Sequence, residues 1–332
     1  MRGCDPKNPD REGMALLTVL LLVAVMAAVC VLILDDVRFT VRRTANVEHL
    51  AEMQSHAAIV ETLAAAQIMR LSKANPLVTP VEPRWIGQAV EVQTDSGAVR
   101  TLVYDGQACF NLNSLLLGQG EDLRAQEEGV AQFAALGVAL GFERSRMLSL
   151  ADSLTDWMDS DQDVRGASGA EDSYYGARSK PYRTGGLMLA DVSELRAIKG
   201  FDGDTYRRLR PYVCALPEAR LTRLNINTLE PADAPVLVAI SGDRLTMGAA
   251  RAAIRNRPAQ GWQSVDSFWA QPALNEVVAD EELRSQTVLV TRYFDVRIDV
   301  EAGDSRASRT FVLQVMPEGR ARTIIRRWTT EE

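Results

Sequence analysis

The residues best able to do chemistry are carboxylates crowded into one stretch, DSLTDWMDSDQDVRGASGAEDSYYG, which holds Asp152, Asp156, Asp159, Asp161, Asp163, Glu171 and Asp172. On a helix, the i, i+4, i+7 spacing puts Asp152, Asp156 and Asp159 on one face. Asp159, Asp161 and Asp163 then alternate beyond it. Arg165 and Arg178 are nearby but too few to neutralise the group. Like charges this close repel unless a cation sits among them. Oxygen ligands on a Gly-containing loop suit Ca²⁺. Zn²⁺ would ask for His or Cys, and the stretch has neither. The D-x-D-x-D opening is that of an EF-hand, but Val164 stands at the turn-glycine position and Ala170 at the closing-glutamate position, so it is not one. A solvated acidic loop is a second reading of the same residues, and an acid and base pair of carboxylates a third. The third lacks support. There is no G-x-S-x-G, no H-E-x-x-H and no Gly-rich phosphate loop, and the two histidines, His49 and His56, fall on the polar side of a helix. The chain is not expected to be an enzyme.

The elements that must position this cluster begin with a membrane-length segment. Residues 14–34, MALLTVLLLVAVMAAVCVLIL, carry no charge, Pro or Gly and end at Asp35 and Asp36. As a helix they span about 30 Å, the thickness of a bilayer core. A cleaved secretory signal needs a shorter apolar core and a small-residue cleavage site. Two readings stay open: a plain signal anchor, and a type IV prepilin-like leader of residues 1–13 ending at Gly13-Met14. No Pro occurs between Pro9 and Pro76, and Val47, Leu50, Ala57, Val60 and Leu63 recur at helical spacing. This predicts one continuous helix from about residue 14 to 73, stopped by Asn75-Pro76.

The remaining composition is that of a globular protein of about two domains, 332 residues with 46% hydrophobic and 24% charged. Strand patterns lie at 89–94 and 98–104 about an Asp95-Ser96-Gly97 turn, and at 108–112. Helical patterns follow at 127–140, 144–157, 191–198, 205–215, 231–239, 247–256 and 264–269. Strands return at 287–300, 310–315 and 320–328. The expected fold is α+β, a sheet split in sequence by a helical insertion. An internal echo, N-L-N-S-L at 111–115 and N-I-N-T-L at 225–229, opens each half of the insertion. Cys109 and Cys214 are the two cysteines outside residues 1–34 and form either a disulfide or two buried free thiols.

Residues 193–214 and 225–269 also have the look of helix-hairpin-helix units, which suggests a membrane-anchored nucleic-acid-binding or DNA-uptake pilin-like protein. Against it, the hairpin Gly200-Phe201-Asp202-Gly203 puts a carboxylate where phosphate would approach, and the net charge is -7.

Several motifs in order carry a resemblance: Gly13-Met14 before the apolar helix, N-L-N-S-L, D-W-M-D-S-D leading to G-A-E-D-S-Y-Y, then P-Y-R, S-E-L-R-A-I-K-G and L-N-I-N-T. This order resembles the general secretion pathway protein K family, the large minor pseudopilins of type II secretion, over nearly the whole chain. The resemblance implies a type IV pilin-like fold, a long N-terminal helix on a small antiparallel sheet, with a large inserted α-helical domain. Its parts would be a leader (1–13), a transmembrane helix (14–34), its continuation (35–75), the first part of the sheet (84–117), an insertion of two helix-hairpin-like units with an acidic calcium loop at 152–178 (118–283), and the second part of the sheet (284–330). It implies Ca²⁺ as a structural cofactor, with Asp156, Asp159, Asp161, Asp163, Glu171 and Asp172 at the matching positions. It also implies cleavage after Gly13 by the prepilin peptidase and methylation of Met14. The chain would sit in the inner membrane with its body in the periplasm, at the pseudopilus tip. Its partners would be the minor pseudopilins I and J, the major pseudopilin and secreted substrates, and not nucleic acid. Thr18, fifth after the junction, stands where most pilins carry Glu, as in the K subunits. Thr184-Gly185-Gly186 stands where the family often has Asn.

Overall fold

The computed structural model describes residues 9–82, 84–94, 97–302 and 305–328. A single helix, α1 (Pro9–Ala74), opens the chain. Its apolar residues from Leu16 to Val47 are exposed, whereas Met53, Ala57 and Ile68 are buried. The first part therefore stands free and the second docks. Two antiparallel strands follow, β1 (Val90–Thr94) and β2 (Gly97–Asp105).

The chain then leaves the sheet and builds a helical head. Its first half comprises β3 (Phe110–Asn111), a hairpin of β4 (Leu116–Gln119) and β5 (Asp122–Ala125), α2 (Glu127–Ala139), α3 (Arg144–Met158), α4 (Asp172–Gly176), α5 (Gly203–Leu209) and β6 (Val213–Cys214). Its second half comprises β7 (Leu224–Asn225), α6 (Ala234–Ile240), α7 (Met247–Arg255), α8 (Val265–Trp269), α9 (Glu281–Gln286) and β8 (Thr287–Val288). The chain returns as β9 (Tyr293–Ala302), β10 (Ser305–Val315) and β11 (Ala321–Arg327), completing an antiparallel sheet of order β1-β2-β9-β10-β11.

One face of that sheet receives α1. Phe294, Val296, Ile298 and Val300 alternate along β9 and, with Phe311, Leu313 and Val315 of β10, enclose Met53, Ala57 and Ile68. Glu61 fastens the contact. Its buried carboxylate meets Arg309 at 2.6 Å and Arg326 at 2.5 Å. Buried pairs of this kind fix orientation more than they add stability, because desolvation offsets much of the attraction.

The head is built twice on one plan. β3 pairs in parallel with β6, and β7 in parallel with β8, so each half closes beside the strand that opened it. The opening motif works identically in both halves. Asn111 accepts from the backbone N–H of Asn113, and Asn225 from that of Asn227. The echo of N-x-N in the sequence is thus a structural duplication.

Several expectations need correcting. The sheet parts expected at 84–117 and 284–330 are narrower, because β3, β4, β5 and β8 pair within the head and not with the sheet. The strand expected over 108–112 is only β3, followed by a 3₁₀ turn, and the helix expected over 191–198 is a 3₁₀ helix, Val192–Ala197. The helix expected over 205–215 ends at Leu209. Arg210–Tyr212 is a 3₁₀ turn containing Pro211, which cannot continue an α-helix hydrogen-bond ladder, and Val213-Cys214 is strand. The strand expected over 287–300 is two strands. β8 belongs to the head, and residues 289–291 detach to bond Thr79, whose N–H donates to the Leu289 carbonyl at 2.8 Å while its hydroxyl accepts from the Thr291 N–H at 2.8 Å. The β4–β5 hairpin falls in the region expected to be helical. Its turn uses Gly118 (φ 123°) and Gly120 (φ 61°), conformations that favour glycine.

Candidate metal centre

Two short elements and the loop between them hold the carboxylates. Asp159 caps the C-terminus of α3, with its N–H bonded to the Thr155 carbonyl at 2.8 Å. A helix C-terminus carries partial negative charge, so a carboxylate there is unfavourable and a cation favourable. Glu171 stands at the N-cap of α4, yet its side chain does not cap the helix. It turns inward. Ligand atoms of Asp159, Asp161 and Glu171 all lie within 4.8 Å of one another, with Asp159 and Glu171 buried and Asp161 exposed.

The remaining acidic residues have other partners. Asp156 accepts from the Arg165 N–H at 3.1 Å and so closes the loop. Asp172 accepts from the Thr184 N–H at 2.9 Å and from its hydroxyl at 3.0 Å. Asp163 is exposed, and its N–H donates to Asp161 at 2.8 Å. Asp152 faces the guanidinium of Arg165 at 3.4 Å, and Arg165 reaches on to Glu127 in α2 at 2.6 Å. Of the six residues expected around a metal, the structure gathers Asp159, Asp161 and Glu171, uses Asp156 and Asp172 to hold the loop, and leaves Asp163 exposed outside the group.

The gathered group is electrostatically costly without a cation. Burial first, then Asp161 and Asp156, pushes the Asp159 carboxyl up to about 7. Burial first, then Asp156, Asp159 and further neighbours, pushes Glu171 up to about 8. Asp159 Oδ1 and both carboxylate oxygens of Glu171 are buried with no hydrogen-bond partner among the described residues. Buried polar atoms are ordinarily paired. Three orphaned buried oxygens in a carboxylate-only group gathered within 4.8 Å fit a hard cation such as Ca²⁺.

Gly169 allows the loop to close. A Cβ there would meet the Asp156 carboxylate and come within 2.5 Å of the Arg165 carbonyl. Beneath the loop, Trp157 packs edge-on against Tyr175, ring centroids 5.2 Å apart, and Tyr182 lies 5.2 Å from Tyr175. Sequence reasoning passed over Gly169, for which the G-A-S-G run was the available signal; Thr184, which stands where the family often has Asn, is the residue that binds Asp172.

The two halves of the head coincide with two family profiles. Both are described as type II secretion system (T2SS), protein K, and they match residues 108–218 and 224–290. The chain is also 35% identical over 331 residues to the type II secretion system protein K of Klebsiella pneumoniae, covering 98% of this chain and 100% of that one. This chain belongs to the type II secretion system protein K family. The protein K of Aeromonas hydrophila is 34% identical over 308 residues, covering 91% of this chain and 92% of that one. Among solved structures, the crystal structure of the GspK-GspI-GspJ complex from the enterotoxigenic Escherichia coli type 2 secretion system is similar with a TM-score of 0.75. Identity to it is 30%, covering 87% of this chain and 100% of that chain. The pilin-like helix and sheet with an inserted helical head is the protein K fold.

The other singled-out residues are placed as follows. Gly13 and Met14 lie inside α1, and residues 1–8 of the leader, with Cys4, lie outside the described residues. Among the described residues, α1 is the one helix long and apolar enough to cross a membrane. Cys109 and Cys214 are joined as a disulfide, Cα atoms 5.8 Å apart, beside the β3–β6 pair. Asp202, in the hairpin that resembled a phosphate grip, caps α5 through the Thr205 N–H at 2.7 Å and pairs with Arg146 at 3.0 Å. That hairpin is committed to structure, and the nucleic-acid reading is not favoured.

Proposed function

We propose that this protein K sits at the tip of the type II secretion pseudopilus, where it begins or caps assembly with the minor pseudopilins I and J above the major pseudopilin. The observation that carries the reading is the match of helix, sheet and duplicated head to the GspK chain solved in complex with GspI and GspJ. Two features of this chain support a cap. The head widens the top of α1, which hinders addition of another subunit above it. Thr18 offers no carboxylate to the amino terminus of a neighbour, a charge pairing that matters most where water is excluded. Residues 14–34 anchor the chain in the inner membrane after the prepilin peptidase cuts behind Gly13 and the amine of Met14 is methylated, with the body in the periplasm and near exported proteins. The role is structural rather than enzymatic.

Ca²⁺ is the ion proposed for the centre, held by Asp159, Asp161 and Glu171. Bound there, it would supply the charge that lets three carboxylates share one site. Co-expression with subunits I and J from the same secretion system tests the assembly role. The proposal predicts a stable three-way complex on size exclusion; a chain that elutes alone in the presence of an I–J complex would refute it.

A further inference from the structure

We propose that a basic cleft between the sheet and the second half of the head binds an acidic segment of another protein, with Arg223 and Arg292 holding its carboxylates. The cleft has a volume of about 370 Å³ and lies where the end of α1, the entry to β7 and the turn after β10 meet. Leu77, Leu289, Val290 and Pro317 are among its walls, and Arg220, Arg223 and Arg292 line it. The one carboxylate in the lining, Glu218, is already engaged by Arg220 and by the Tyr293 hydroxyl. Among the described residues no carboxylate forms a salt bridge with Arg223 or Arg292; Glu318, which feels the Arg292 charge, is held by Arg320 at 3.2 Å.

The backbones of the two arginines are held from below. Gln107, buried, donates through Nε2 to the Arg223 carbonyl at 3.2 Å. Its Oε1 accepts from the backbone N–H of Arg292 and, at 3.2 Å, from that of Tyr293. One buried amide thus ties the backbones of both residues together. Burial first, then the Arg220 charge, lowers the pKa of Arg223, with Glu218 acting in the opposite direction and Arg292 adding to the lowering. In a chain of net charge -7 this gathering of arginines is a local feature rather than a general one.

Guanidinium forks match carboxylates in two-point geometry, and apolar walls favour apolar side chains on either side of the acid. A lipid headgroup fits the position poorly. The apolar span ends at residue 34 and the cleft begins at Pro76, so some 40 residues of helix, about 60 Å, separate it from the membrane that holds α1. The site requires only the folded body, and its success or failure is separate from that of the tip assignment.

Isothermal titration of the purified full chain in a non-ionic detergent tests the site. The probe is the acetylated, amidated peptide Leu-Asp-Leu-Asp-Leu, with its Asn counterpart as comparison. We expect saturable 1:1 binding of the Asp peptide only, weakened about tenfold or more by the double change R223Q and R292Q, and weakened by added salt. R223K with R292K keeps the charge without the fork and should bind with intermediate affinity, and R100Q on the outer sheet face should change nothing. Thermal melts of all variants guard against misfolding. Equal binding by wild type and R223Q/R292Q, no saturable binding to wild type, or equal binding of the Asn peptide would each overturn the proposal. So would tighter binding of short-chain phosphatidylglycerol than of the peptide, which would assign the cleft to lipid.

Discussion

Asn113 and Asn227 make the same pair of bonds in the two halves of the head. Asn113 accepts from the N–H of Leu189 at 2.8 Å and donates to its carbonyl at 3.0 Å; Asn227 does the same to Trp262, at 2.6 and 2.9 Å. Each asparagine therefore clasps both backbone groups of the residue that leads into the next turn or helix of its half. Replacing either by Leu strands a buried donor and acceptor, and each change should cost about 2–4 kcal/mol in urea unfolding. Asp at either position keeps the acceptor but sets a buried carboxylate oxygen against a backbone carbonyl, so it should cost no less than Leu at neutral pH. A loss under 0.5 kcal/mol for both Leu variants, an estimate near the resolution of such measurements, would mean the clasp is incidental.

The acidic centre should respond to calcium. The melting temperature of wild type should rise on adding Ca²⁺ and fall with chelator, because an ion bound only by the native state stabilises it. E171Q should lose most of that response. In chelator it should be no less stable than wild type, since it removes one of three mutually repelling carboxylates. G169A should lose the response as well, with a penalty of about 1–3 kcal/mol from the clash at Asp156 and Arg165. G176A, where a Cβ meets nothing within 4 Å, is the matched control.

Asp105 should give the body a distinct pH dependence. It ends β2 and accepts from the hydroxyls of Thr228 and Thr291 and from the Gln107 N–H, joining the sheet to the second half of the head. Burial outweighs these bonds and pushes its pKa up to about 6 from 3.8. A raised carboxyl holds its proton in the native state where the unfolded chain has lost it. Its stabilising contribution is therefore complete below about pH 4 and is lost as pH rises through about 6. The loss is about 2–3 kcal/mol. Urea unfolding at both ends of this window, in saturating Ca²⁺, should show that component in wild type and not in D105N.

The disulfide should be countable. The mature chain expected after cleavage has Cys30, Cys109 and Cys214, with Cys109 and Cys214 bridged across a sequence separation of 105. Denatured mature protein should show one reactive thiol before reduction and three after. Replacing both bridged cysteines by Ala should cost about 2–4 kcal/mol, largely by freeing a long loop in the unfolded chain. Equal thiol counts before and after reduction would contradict the bridge.

Much of this fold is legible in the sequence, because periodic patterns mark it. The unbroken stretch from Pro9 to Pro76 reads as helix, and the alternation in β2, β9 and β10 reads as sheet. What escapes the sequence is set by distant partners. β6 and β8 are two-residue strands defined only by pairing with β3 and β7, too short to carry a period. Glu61 looks like any helix surface acid until Arg309 and Arg326 arrive from the far end of the chain. In the acidic stretch the charge density is plain. The division of labour between ligand-like Asp159, Asp161 and Glu171 and loop-holding Asp156 and Asp172 depends on a backbone path through Gly169, which residue spacing does not show.

The central claim, that this is a processed pseudopilin, is tested most directly by the intact mass and N-terminal sequence of the chain extracted from membranes with and without active prepilin peptidase. The account predicts a chain beginning at Met14 and carrying one added methyl when the peptidase is active, and a chain beginning at Met1 when it is not. A chain that still begins at Met1 beside an active peptidase would contradict it and leave α1 as a plain membrane anchor.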